Sequence, residues 1–272
     1  MNDTIIIVTV NFGLTDLTLD LIQSIPIDKK LNIWVEDNQS TEHSKKTLSD
    51  AKSNLSQHIS VYHHKNNWYF WGAFNKAYQR IVEKDLGLPK WLIICNNDIT
   101  FEQGFFNELD QIDPTMSHIV APAIYSSNSK KNLNPFFINP LGMKEKIYYL
   151  LLYSHPIIGR MTQFFGKGLN KVLKRIHRPV FQSNKIYAPH GACMIFSSEY
   201  FNRGGYIDTG FKLFGEEIST AEIARNIGCN IHYHPTLRVV HNEHQSTNKF
   251  TWEQSYNLSK DTYIYLKKRY NI

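Results

Sequence analysis

Six consecutive residues near the start, Ile5-Ile6-Ile7-Val8-Thr9-Val10, form an unbroken β-branched run. Such a run has no polar face, so it fits a strand covered on both sides, the situation of a parallel sheet. Asn11-Phe12-Gly13 then turns the chain, and Leu14, Leu17, Leu21, Ile22 and Ile25 recur at helical spacing until Pro26. The alternation repeats. Leu31 to Val35, Ile59 to Tyr62, Trp91 to Cys95 and His118 to Ala121 read as strands. Helices are expected up to about Asn54, over Gly72 to Leu86 and near Gln103 to Leu109. Strands spaced by helices predict an α/β fold: a mostly parallel, Rossmann-like sheet with helices on both faces. Ligands in such sheets gather at the carboxyl ends of strands. The polar clusters Asp37 to Thr41 and Asn96-Asn97-Asp98 both fall at such ends.

Residues 126–185 interrupt the pattern. Between Lys130 and Lys185 stand eleven basic residues and one acid, Glu145, a local charge of +10 in a chain whose total is +6. From Pro156, the apolar residues Ile158, Met161, Phe165, Leu169, Val172 and Ile176 step by three or four with basic residues between them, and Ser154 is a candidate cap. A basic amphipathic helix of this kind suits an anionic membrane surface, and equally a core-packed helix with a solvated basic face. No nucleic-acid-binding motif accompanies the charge. Ordered structure resumes with strands at Gly191 to Phe196, Asn230 to His234 and Leu237 to Val240, and with helices over Glu216 to Ile227 and Trp252 to Lys268. One domain is expected, with a first half (1–125), the basic insertion (126–185) and a second half (186–272). Three cysteines without a CxxC argue for a reducing compartment. No signal peptide or spanning segment is evident, so the expected location is cytoplasmic or at a membrane surface.

Four clusters can carry chemistry. Asn96-Asn97-Asp98 offers a hard oxygen ligand for Mg²⁺ or Mn²⁺, or is a capped turn. Glu216-Glu217 either complements a helix dipole or supplies a general base. His232, His234, His241 and His244 are dense but lack a zinc spacing; His241, after a strand, is the best single ligand, and His232 and His234 fit one face of a strand. The aromatic stretch from Asn67 and Trp68 through Gly72 to Asn75 either stacks on a base or sugar or plugs the core.

The order of these segments resembles one family, the inverting family-2 glycosyltransferases of the GT-A fold, particularly their bacterial rhamnosyltransferase-like branch. That branch's V-T-Y-N strand is similar to Val8-Thr9-Val10-Asn11, and its V-D-N-x-S-T-D loop to Glu36 through Glu42. Its E-N-x-G-F-A-G-G-N-N segment resembles Asn66 to Asn75, and its L-L-N-x-D motif Ile94 to Asp98. G-A-x-M stands at Gly191 to Met194, G-G-F-D-E-x-F-F-x-x-G-E-D/E at Gly204 to Glu217, and G-x-x-I-x-Y-x-P…V-V-H at Gly228 to His241.

The resemblance implies a nucleotide-sugar donor (a dTDP- or UDP-sugar), a divalent metal and a glycan acceptor, plausibly lipid-linked, in lipopolysaccharide or capsule synthesis. By the same resemblance Asp37 contacts the base or ribose beside Thr9, Val10 and Asn11. The donor site also takes in Asn67, Trp68, Gly72, Asn75, Asn96 and Asn97. Asp98 binds the metal, with His241 as a further ligand or diphosphate contact. Glu217 deprotonates the acceptor, with Glu216 as fallback base. Tyr69, Trp71 and Ala73 stand where the family has small residues, which makes the donor loop bulkier. The competing expectations are a nucleotidyltransferase, disfavoured by the lack of an N-terminal Gly-rich basic loop, and an inactive homologue that binds nucleotide-sugar or membrane.

Overall fold

The computed structural model describes residues 3–55, 57–84, 87–173, 184–243 and 250–272, with the side chains of 165–173 left aside. Strands β1 (Ile5–Asn11), β2 (Leu31–Asp37), β3 (His58–His63) and β4 (Trp91–Asn96) are mutually parallel in the order β3-β2-β1-β4. The sheet continues through β8 (Cys193–Ser197), antiparallel, then β6 (Ile119–Ser126), β9 (Ile231–His241) and β5 (Ile99–Phe101). β7 (Asn184–Ile186) pairs with β9 to complete nine strands.

The β-branched run becomes β1 because both of its faces are covered. Every residue of β1 is buried, and its alternation divides between two cores. Ile6, Val8 and Val10 pack with Leu92, Ile94, Met194 and Phe196 beneath α3 (Tyr69–Glu83) and α8 (Glu216–Asn226). Ile5 and Ile7 pack with Ile33, Val35, Ile93 and Ile195 beneath α1 (Thr15–Gln23), α2 (Glu42–Asn54) and α4 (Phe105–Asp110). α2 starts where Thr41 and Ser44 form a reciprocal capping box. α7 (Ser198–Asn202) follows β8 directly.

Several sequence expectations change. β9 is one strand where two were expected. Its register against β6 slips from Pro122↔His234 to Ala123↔Arg238, which lets the strand carry Pro235 without losing its pairing. The strand expected from Gly191 begins only at Cys193, because Gly191 and Ala192 form a turn. α3 begins three residues before Gly72, at Tyr69.

The insertion holds two helices, α5 (Met143–Ser154) and α6 (Pro156–Leu173), instead of one. Ser154 does not cap α6: its hydroxyl donates back to Leu151 O within α5, and His155 Nδ1 accepts from Ile157 N instead. Phe165, Leu169 and Val172 lie outside the described side chains and Ile176 outside the described residues. The hairpin leans on α9 (Trp252–Tyr270) through aromatic contacts: Tyr153 meets Tyr256 and Tyr263, and the Arg160 guanidinium lies over Trp252.

Candidate active site

The site is built where β4 ends and β8 begins. Because β4 and β8 are antiparallel, the turn after β4 lies against the turn before β8, and Asn96 N donates to Ala192 O at 2.9 Å. The first turn carries Asp98, whose Oδ1 is 3.1 Å from His241 Nε2. His241 reaches it because β5 pairs with β9 in the register Ile99↔His241. Asn96 Nδ2 approaches the same imidazole nitrogen at 3.4 Å.

The second turn, His190-Gly191-Ala192, holds the acid pair at the start of α8. Gly191 N donates to Glu217 Oε1 at 3.2 Å, and Gly215 N donates to Glu216 Oε2 at 2.9 Å. A Cβ on Gly191 would stand 2.8 Å from Glu216 Cγ and 2.9 Å from Glu217 Oε1, so any side chain there must displace the acid pair. Burial raises the pKa of both carboxyls, and the charge of Glu216 pushes Glu217 further up. A carboxylate raised in this way holds a proton more readily than a solvated glutamate does.

His190 links the two turns. Its ring centroid is 6.3 Å from that of His241, and its Nδ1 accepts from Ala192 N, so Nε2 carries the proton of the neutral ring. Burial, aided by His241, pushes its pKa down to about 4. Its backbone N–H is held by Asn134 Oδ1 at 2.7 Å.

A cavity opens beside Asp98. Of the residues expected to bind the donor, Val10, Asn67, Asn96 and Asn97 line it with Asp98. The others stand apart from its wall. Thr9 and Asn11 are buried, Gly72 and Asn75 sit on α3, and Trp68 is half exposed beneath the Lys76 ammonium. Asn97 turns its amide away, donating to Leu14 O and Thr18 Oγ1.

Asp37 is 1% exposed. Its carboxylate accepts from Asn11 Nδ2 (2.7 Å) and Ser44 Oγ (3.1 Å) and meets His63 Nδ1 at 2.8 Å. Asn38 takes the place at the wall. Its Nδ2 donates to Tyr69 O at 2.8 Å and its Oδ1 accepts from Trp68 N at 3.3 Å.

Tyr69, Phe70 and Phe12 complete the aromatic lining, and Leu213 and Phe250 close it from the second half. Tyr69 has φ +57°, the left-handed region that a glycine fills at no cost. The aromatic stretch divides: Tyr69 and Phe70 face the cavity, whereas Trp71 and Phe74 are buried plugs. Asn38 was not singled out in the sequence; Tyr69 was noted there as a bulky residue of the donor loop, standing at a glycine position.

Asp98 and His241 fit a divalent cation. Two ligands at about 2.1 Å from one ion in adjacent octahedral positions stand about 3 Å apart, close to the 3.1 Å observed. His241 Nδ1 is buried and has no hydrogen-bond partner among the described residues. No cluster of three or more His, Cys, Asp or Glu side chains occurs among the described residues. The pair alone would supply two ligands of a six-coordinate Mg²⁺ or Mn²⁺, the remaining positions falling to phosphates and water. His232 and His234 lie apart from this pair, both at Ser117 Oγ, on one face of β9. His244 lies outside the described residues.

Comparison with known proteins agrees with this architecture. The family model described as glycosyl transferase family 2 matches residues 4–204. No curated protein matches the chain in sequence. Among solved structures, GalNAc-T7 with UDP, GalNAc and Mn²⁺ superposes with a TM-score of 0.64 at 14% identity, over 97% of this chain and 48% of that one. The mannosyltransferase PcManGT of Pyrobaculum calidifontis, with GDP-Man and Mn²⁺, gives 0.54 at 14% identity, over 90% and 59%. S. aureus TarS 1–349 with UDP-GlcNAc gives 0.56 at 11% identity, over 91% and 61%. The chain thus spans less than two thirds of each of these proteins, and at such identities the likeness concerns the fold. A match over most of the chain, on a GT-A sheet of this topology, places the protein in glycosyl transferase family 2.

Proposed function

We propose that the protein is an inverting glycosyltransferase. It moves a sugar from a dTDP- or UDP-sugar to a hydroxyl of a lipid-linked glycan, in synthesis of a bacterial surface polysaccharide such as O-antigen or capsule. The observation that carries the reading is the meeting of two acid centres at one sheet edge. Asp98 with His241 stands on one turn, and Glu217 on Gly191 stands on the next.

In this reading the nucleoside lies against Val10, Asn38, Tyr69 and Phe70. Glu217 accepts the proton of the acceptor hydroxyl as its oxygen bonds to the anomeric carbon. The bond from that carbon to the diphosphate breaks, and the nucleoside diphosphate leaves with the electron pair. Attack from the face opposite the leaving group inverts the configuration. Asp98 and His241 would hold Mn²⁺ or Mg²⁺, which when bound offsets the charge developing on the diphosphate.

The deciding experiment is release of nucleoside diphosphate from dTDP-, UDP- and GDP-sugars, with and without Mn²⁺, repeated with Asp98→Ala and Glu217→Gln. Turnover of one donor, lost in both variants, supports the reaction and its site. Turnover that survives Glu217→Gln moves the base to Glu216. The second reading, an inactive nucleotide-sugar binder, is favoured by Tyr69 standing in the cavity, and it requires binding without release under every acceptor.

The acceptor side bears on location. No helix among the described residues is long and apolar enough to cross a membrane. α5 and α6 nevertheless leave Ile147, Leu150, Ile157, Met161 and Phe164 at 50–76% exposure, beside Lys144 and Arg160. A surface of that composition supports peripheral attachment of segment 130–185 to an anionic membrane on its cytoplasmic face.

A further inference from the structure

α5 has a mixed inner side. The buried Leu152 and the half-buried Tyr149 and Tyr153 face the protein, while Ile147, Leu150 and Leu151 are exposed. Tyr149 and Tyr153, one helical turn apart, stack with parallel rings at 6.2 Å, and Tyr263 of α9 tilts against them at 6.2 and 5.1 Å. Leu150, on the outer side, is 50% exposed, as is Ile147, while Ile264 of α9 is 53% exposed.

Between the two helices runs a groove whose walls include Leu150, Tyr153, Tyr263, Ile264, Lys267 and Lys268. Three chemistries meet there. The lysines form no ion pair among the described residues; Lys267 only lies 6.0 Å from the Tyr263 ring. Lys146 adds a third cation at the same end, where its Nζ donates to Asn271 O. The tyrosine ladder leads inward from the groove. Burial and then Tyr153 hold the Tyr149 phenol above its ordinary range, and the Glu217 charge adds to both. The exposed aliphatic row leads outward.

We propose that this groove is the seat of the acceptor's lipid carrier. The anionic phosphate head meets Lys267 and Lys268, the apolar chain runs along Leu150 and Ile264, and the attached sugar follows Tyr153 and Tyr149 toward Glu217. The charge of the lysines complements a phosphate, ring faces complement the C–H faces of a sugar, and aliphatic walls complement a hydrocarbon chain. Spacing agrees as well: four residues of helix advance about 6 Å, roughly one sugar ring, between Tyr153 and Tyr149. The inference rests on the proposal that the acceptor is lipid-linked.

The test uses farnesyl diphosphate as an amphiphilic probe, inorganic pyrophosphate as a head without a chain, and UDP as a donor-side ligand. Each is titrated calorimetrically against the full chain and against Lys267→Glu/Lys268→Glu. Both lysines are exposed, and unchanged UDP affinity in the variant reports an intact fold. The expected result is that the probe binds about tenfold or more weakly to the variant, that pyrophosphate binds more weakly than the probe, and that UDP does not displace the probe. Probe affinity within twofold in the variant overturns the proposal. So does displacement by UDP, which would place the diphosphate in the donor cavity, and so does absence of binding to the unaltered protein. The glycosyltransferase reading stands or falls separately, on nucleoside diphosphate release and its loss in Asp98→Ala and Glu217→Gln.

Discussion

Gly191→Ala tests the placement of the base most directly. A methyl group at this position would lie 2.8 Å from Glu216 Cγ and 2.9 Å from both Glu216 Oε1 and Glu217 Oε1. Ordinary carbon contacts begin near 3.5 Å, so both carboxylates must retreat by about 0.6 Å or the turn must move as a whole. Either movement strains the 3.2 Å bond from Gly191 N to Glu217 Oε1. Misplacing a reacting group by about 1 Å costs about 10²-fold in rate, so a shift of this size is expected to lower kcat by roughly tenfold or more. Overpacking adds about 1–3 kcal/mol of destabilisation, a fall in Tm of several degrees for a chain of this length. The donor cavity does not include Gly191, so UDP affinity should not change. The assay is steady-state release of nucleoside diphosphate, with UDP titration and thermal melting on the same preparation. A variant with kcat within twofold of the parent and normal UDP binding would refute the argument that this turn seats the base.

Five further outcomes follow from the same geometry. Glu216→Gln removes a charge that raises Glu217; since the base is lost as pH falls through its folded pKa, the acid limb of the kcat profile should move to lower pH. The same variant should be less sensitive to pH in its stability. A carboxyl raised in the folded state binds its proton more tightly there than when unfolded, so the parent loses stability as pH rises from the ordinary glutamate value through the raised one, and removing Glu216 flattens that fall in melts across pH. Tyr69→Gly keeps the left-handed backbone and removes an aromatic wall, which should raise donor KM about two- to tenfold, the worth of about 0.5–1.5 kcal/mol of aromatic contact. Asp208→Ala strands the phenols of Tyr265 and Tyr270, which donate to its carboxylate at 2.7 and 2.5 Å; a loss of about 2–4 kcal/mol should appear in denaturant melts. Sedimentation with anionic vesicles should be salt-sensitive, and equal binding to neutral vesicles would remove the electrostatic part of the membrane proposal.

What was legible in the sequence was whatever local burial dictates. β1, β2 and β4 announce themselves because strands covered on both faces are apolar throughout, and α8 and α9 because their apolar positions recur at helical spacing. The three-residue strands β5 and β7 were not legible, since their only reason to be extended is the partner β9. α5 was hidden for another reason. Leu152 is buried while Ile147, Leu150 and Leu151 are exposed, and half-buried tyrosines share the inner side, so no single apolar face marks the helix. In the site, Asp98, His241 and the acid pair were read from ordered motifs, and the structure brings Asp98 to His241 and the acids to Gly191. His190 had no sequence signal beyond its place before Gly191, because its part depends on a turn that the strand expectation had absorbed into β8.

Under the proposed reaction, the order of the strands explains how two reactants would be brought together. β1 to β4 form a parallel sheet whose carboxyl edge supplies most of the wall of the cavity beside Asp98, with Leu213 and Phe250 added from the second half. An acceptor hydroxyl needs a base on the far side of the anomeric carbon, and a further parallel strand beside β4 would present its amino end at the opposite edge. β8 runs antiparallel, so the turn entering it, residues 190–192, arrives at the same edge as Asp98. Two antiparallel insertions therefore make the site: β8 brings Gly191 and with it Glu217, and β5 brings β9's last residue, His241, to Asp98. Asp37 acts one layer back. With both its oxygens engaged by Asn11, Ser44 and His63, it fixes the end of β2 from which Asn38 holds the Trp68–Tyr69 backbone, so we infer that its contribution to donor binding passes through that wall.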